Sequence, residues 1–119
     1  MTPFGREIRR LRAERGLSQK HMARALGVSA AYLSAREHGH RGQPSWELQQ
    51  RIIGYFNVIW DEAEELQRLA ALSHPRVTID TAGLSADATT LANRLAGSID
   101  KLSDEDIRSM LELIEGAKD

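Results

Sequence analysis

The chain reads as an all-α protein, with five helices in residues 1–72 and two more in residues 85–119. Three observations lead there. Apolar residues recur at spacings of three and four along nearly the whole chain, as they do on helices buried along one face. Ser or Thr-Pro stands at the head of most of these runs, where helix caps belong, and glycines follow the first and second. The residues are 41% hydrophobic but only 5% aromatic, which suits a helical core of Leu, Ile and Ala.

Thr2-Pro3 caps and starts the first helix, where Phe4, Ile8 and Leu11 form one stripe. Gly16 ends it, and Leu17 folds back as the apolar contact after a glycine C-cap. Arg6, Arg9, Arg10 and Arg15 decorate the outside. Ser18 caps a second helix with Met22, Ala23 and Leu26 on one face. Gly27 breaks the pattern, and Ser29 caps a third helix with Leu33 inward. After the polar turn HRGQPS, Ser45 caps a fourth helix whose stripe is Leu48, Ile52 and Phe56, widened by Ile53 and Tyr55. Asn57 to Trp60 crosses over to Asp61, which with Glu64 forms a capping box for a fifth helix. That helix runs to about Leu72 with Leu66, Leu69 and Ala70 inward.

From Ser73 the periodicity lapses. Val77-Thr78-Ile79, between Pro75 and Gly83, reads as a short strand or as extended linker, and residues 73–84 are assigned as linker. Ser85 opens a sixth helix that carries Ala88, Leu91, Ala92, Leu95, Ile99 and Leu102. Ser103 and Asp106 make a second capping box. Ile107, Met110, Leu111 and Ile114 then line a seventh helix, joined to the sixth by almost no loop. Two amphipathic helices cannot bury both stripes between them. Residues 85–119 are therefore expected to be a helical hairpin that dimerises through Leu91, Leu95, Ile99, Leu102, Ile107, Met110, Leu111 and Ile114. The alternative is that they complete the core of a monomer.

Charge is divided as well, between the first four helices and the rest of the chain. Residues 1–56 hold ten Lys/Arg against four Asp/Glu, a net of +6, and residues 57–119 hold six against thirteen, a net of −7. A basic head points to a polyanionic partner and an acidic tail to a different task, although solvated helix faces would give charge as well. Zero cysteines exclude disulfides and thiolate metal sites. His21, His38, His40 and His74 have no metal-ligand spacing, so no metal or cofactor is expected. Without a nucleophile elbow or a phosphate-binding Gly-rich loop, no enzymatic activity is expected either. No signal sequence or membrane span is legible, and a cytoplasmic location is the expectation.

The stretch from Ser18 to Gly39, SQKHMARALGVSAAYLSAREHG, permits a closer comparison. With Gln19 as position one, the fifth residue is Ala23, the ninth is Gly27, and Met22, Leu26, Val28 and Leu33 fill positions four, eight, ten and fifteen. Two helices meeting at an angle need a small residue at the contact, a glycine at the turn and apolar residues in the angle. The segment resembles the helix-turn-helix of the Xre/Cro-type, lambda-repressor-like transcription regulators. The resemblance covers residues 4 to about 72 and is strongest from Leu11 to Ser45.

That resemblance implies a lambda-repressor-like five-helix domain whose third helix lies in the DNA major groove. It places Gln19, with Lys20, and Ser29 against phosphates, and Ala30, Ala31, Ser34 and Ala35 toward the bases, with Tyr32 on phosphate or sugar. Such an outward face can touch thymine methyls but reads bases weakly, which shifts weight to groove shape and to His40, Arg41 and Gln43 in the following loop. Arg12 and Glu37 occupy the positions of an ion pair that orients the recognition helix. Arg36 departs from the pattern, because the family carries Ile, Leu or Val there. It can snorkel toward DNA phosphate, rearrange the hub or impair the domain. The resulting expectation is a repressor that binds double-stranded DNA as a homodimer, with no inducer legible. The competing expectation is an antitoxin or adaptor that binds a partner protein through its acidic tail.

Overall fold

The computed structural model describes residues 1–40 and 42–117, and among these it holds seven α-helices and no strand. They are α1 (Pro3–Arg15), α2 (Gln19–Leu26), α3 (Ala30–Glu37), α4 (Trp46–Phe56), α5 (Asp61–Ala71), α6 (Ala86–Ser98) and α7 (Asp104–Ala117). Contacts divide the chain into two compact units, Met1–Val77 and Thr78–Asp119.

The helix starts follow hydroxyl chemistry. Thr2 Oγ1 accepts from Gly5 N at 3.0 Å, and Ser18, Ser29 and Ser45 accept from His21 N, Tyr32 N and Leu48 N at 2.9, 3.0 and 3.2 Å. Each satisfies one of the amides that a helix leaves without an internal partner. The ends repeat one device. At Gly16, Gly27 and Asn57 the chain turns left-handed, at φ 65°, 74° and 54°. The next residue then donates back, from Leu17 N to Arg12 O, Val28 N to Ala23 O and Val58 N to Ile53 O. This tucks Leu17, Val28 and Val58 onto the core as the apolar closure of each turn.

The first unit has a single core: Phe4, Ile8 and Leu11 of α1, Met22, Ala23 and Leu26 of α2, Leu33 of α3, Leu48, Ile52 and Phe56 of α4, Val58, and Leu66 and Ala70 of α5. Two contacts that the sequence reading passed over close it. Gly5 sits where the end of α3 crosses α1, and a Cβ there would overlap Glu37 O. The same carbonyl accepts from Thr2 N at 3.0 Å and Thr2 Oγ1 at 3.1 Å. Ser73 is buried rather than slack. Its Oγ donates to Leu69 O at 2.6 Å and accepts from Phe4 N at 3.0 Å, so the residue that follows α5 satisfies the head of α1.

Two expectations are corrected. Asp61 is not an N-cap but the first residue of α5. Trp60 holds the capping position with φ 52°, makes no side-chain cap bond, and takes the bond from Glu64 N on its carbonyl. The acidic first turn of Asp61, Glu62 and Glu64 still suits the positive end of the helix. The sixth helix stops at Ser98 instead of reaching Leu102. A 3₁₀ turn spans Ile99–Lys101, and Leu102 is extended at ψ 143° so that Ser103 can accept from Asp106 N at 3.1 Å and start α7. Of the two readings of residues 77–79, the strand does not form, in line with their assignment as linker. In the second unit Ser85 caps α6 through Ala88 N at 3.1 Å, yet none of the described residues from 78 to 117 is buried. Its helices therefore have no closed core of their own.

Candidate nucleic-acid interface

The orientation of α3 is set by a carboxylate in the core. Glu37, only 1% exposed, forms an ion pair with Arg12 through Nη1 and Oε1, while Arg12 Nη2 lies 3.4 Å from Oε2. Gln19 Nε2 donates to the same Oε2 at 3.1 Å, and Arg12 Nη1 stands 3.7 Å from Met22 Sδ. One carboxylate thus gathers donors from α1 and α2 onto the last turn of α3. Its backbone carbonyl is held by Thr2, so Glu37 is fixed from both sides. Net stabilisation from such a pair is small, because desolvating two charges offsets much of their attraction. Directionality is the larger effect, since only one setting of α3 satisfies all these donors at once.

This changes the place of Gln19. Expected to meet a phosphate, it also gives one amide N–H to the buried pair, at the head of α2 beside exposed Lys20. Ser29 caps α3 as expected. Ala31 is exposed, and Ser34 and Ala35 are half-buried. Ala30, assigned to the outward face, packs against the core. The open surface of α3 is consequently narrower than its sequence suggests.

Arg36 neither enters the hub nor displaces it. The guanidinium turns outward and donates from Nε to Tyr32 Oη at 3.1 Å and from Nη1 to Gln43 O at 3.2 Å, with its carbon 5.4 Å from the centre of the Tyr32 ring. It snorkels along its own helix and ties α3 to the loop beyond. In that loop Gly39, at φ 79°, is buried against Thr2, and His40 N donates to Ala35 O at 2.9 Å. The His40 ring is exposed, 5.9 Å from that of His38, whose Nδ1 lies 2.8 Å from Ser34 O. Gln43 is half-buried, and Arg41 lies outside the described residues.

Around this frame Arg51 caps the end of α2 through Leu26 O, and His21 Nδ1 meets Tyr55 Oη at 2.8 Å. Burial pushes the Tyr55 phenol above its ordinary value, opposed by the charge on Arg12. On the outer surface the hydrogen bond from Arg68 holds Glu65 below the usual carboxylate range, and the hydrogen bond to Glu7 raises Arg10 further. Among the described residues no group of His, Cys, Asp or Glu could hold a metal ion, and no helix is long and apolar enough to cross a membrane.

A basic unit in which a tight two-helix corner presents a short helix, locked from behind by an ion pair, defines a helix-turn-helix domain. The helix-turn-helix domain family matches residues 3–66, and the chain belongs to it. The uncharacterized HTH-type transcriptional regulator RghRB of Bacillus subtilis (strain 168) is 43% identical over 61 residues, 51% of this chain and 44% of that protein. The chain thus matches less than half the length of that relative. A solved SinR protein/SinI protein complex resembles the chain over 97% of both, at 22% identity and a TM-score of 0.44, a likeness too loose to bear on partners.

The sequence foresaw the Arg12–Glu37 pair and the α2–α3 corner. It missed Gly5 and Ser73. A glycine inside an amphipathic helix was a signal available for the first, since such a residue often marks a close backbone approach. Ser73 gave none, because its partner Phe4 lies at the other end of the unit.

Proposed function

We propose that this protein is a sequence-specific DNA-binding transcription regulator, a repressor that acts on a two-fold operator as a homodimer. The observation that carries the reading is the buried Arg12–Glu37–Gln19 network, which fixes α3 in one orientation while leaving Ala31 open and the His40 loop beside it. Exactness of this kind serves a helix that must enter a groove of fixed width. The basic unit supplies phosphate attraction, so affinity falls steeply with salt. The apolar faces of α6 and α7 join two copies and set the spacing of half-sites. A DNase footprint is expected to protect a palindrome near a promoter, and its absence from every promoter tested, the chain's own included, would refute operator binding.

A second reading has one observation in its favour. Leu91, Ile99, Leu111, Leu113 and Ile114 are more than half exposed on an acidic tail, a surface that a partner protein could cover instead of a second copy. In that case the chain is an antitoxin or adaptor that retains its helix-turn-helix. Light scattering separates the two: a dimer supports the first reading, and a monomer that associates only with a different protein supports the second.

A further inference from the structure

Residues 74–76 follow the stretch matched by the family, yet they belong to the first compact unit, which runs to Val77. Ser73, pinned to Leu69 O and Phe4 N, turns the chain back toward the end of α3. Pro75 lies so close to that turn that a Cβ on Gly39 would stand 3.8 Å from Pro75 Cβ and 2.8 Å from Thr2 Cγ2. Gly39, His40, Gly42, His74, Pro75 and Arg76 together line an open cleft of about 510 Å³. Among the described residues its ionisable lining is two imidazoles and a guanidinium, with no carboxylate.

We propose that this cleft takes a backbone phosphate of the DNA duplex, with Arg76 as the charged partner and His40 and His74 as N–H donors. The proposal rests on the DNA-binding reading and extends its interface past the recognition helix to a segment the sequence assigns to a linker. The ligand class follows from the lining. Arginine presents a planar fork that matches two phosphate oxygens, and imidazole donates an N–H in either protonation state. Location agrees, because His40 follows the C-cap His38 by two residues and the sugar-phosphate backbone flanks a helix seated in the major groove. The glycine backbone leaves room for approach, and a Cβ on Gly42 would meet nothing within 4 Å. His38 already meets a carbonyl of the last turn of α3 through Nδ1, whereas the exposed His40 ring makes no such contact to the helix end among the described residues, which suits it to an outside acceptor. His74 and Arg76, brought in from beyond the end of α5, make the cleft an anion site.

The test uses the full chain and a labelled mixed-sequence duplex, with binding followed by anisotropy across a salt series. Arg76→Gln is expected to lower the slope of log affinity against log salt by about 0.9 and to weaken binding about threefold to tenfold at moderate salt. His74→Ala should add a smaller loss. The control Arg68→Gln removes the same charge from α5, where Arg68 pairs with Glu65, and should leave the slope unchanged. Wild-type affinity and slope in Arg76→Gln, or an equal loss in Arg68→Gln, would overturn the phosphate site while leaving DNA binding intact. A wild-type chain with no salt-dependent binding to any duplex would overturn both.

Discussion

Helices α1 and α6 are each thirteen residues long, each capped by a hydroxyl, and each carries an apolar stripe. The first buries Phe4, Ile8 and Leu11, and the second buries nothing. The difference does not lie in local propensity. In the same unit α1 packs against α3 and α5 and shares one core with α2 and α4, whereas α6 is followed by a 3₁₀ turn and by a helix that also has no buried residue. An amphipathic helix is stabilised chiefly by what covers its apolar face, so the tail is an element whose stability must come from another surface. The head is folded around a closed core, and the tail leaves its apolar face exposed.

Mutations can break that contrast from either side. The largest effect belongs to Arg12→Ala, which leaves Glu37 as an uncompensated buried charge and should cost about 3–5 kcal/mol in urea unfolding, with loss of DNA affinity. An Arg12→Ala protein of unchanged stability and affinity would remove the orienting role of the pair. Next comes Gly5→Ala. The new methyl meets backbone at Glu37, which cannot rotate away, and about 1–3 kcal/mol should be lost, visible as a lower melting temperature. Ser73→Ala leaves Phe4 N–H buried without its acceptor, for a loss of about 1–2 kcal/mol. The smallest stability effect is expected in the tail. Leu111→Asp with Ile114→Asp should change unfolding of the first unit by less than about 0.5 kcal/mol, yet convert the proposed dimer to a monomer by light scattering. A large stability change there would mean that the tail belongs to the core of the head.

Much of the head was legible. Caps at Thr2, Ser18, Ser29 and Ser45, glycines at 16 and 27, and stripes at three-four spacing are local signals, and each became the element it announced. Asp61 shows where such signals fail. Its spacing to Glu64 matches a capping box, but the crossing that seats Val58 in the core carries Trp60 into a left-handed backbone and gives it the cap position. The candidate site was less legible than the fold. The Arg12–Glu37 pair could be placed because the helix-turn-helix pattern fixes both positions. The engagement of Gln19 with that pair, and the outward turn of Arg36 to Tyr32 and Gln43, depend on which free donor reaches which acceptor once the helices have docked.

By itself, then, the sequence determined where most helices of the first unit begin and end, most of the residues they bury, and the division between a basic head and an acidic tail. These are set by residue type and by spacing within one turn or two. Tertiary structure alone decided that Gly5 must be bare, that Ser73 closes α1 rather than opening a linker, and that His74 and Arg76 share a cleft with His40. Each joins residues more than thirty positions apart, and no periodicity records such a meeting. It exists only after the core has brought the ends of α1, α3 and α5 together.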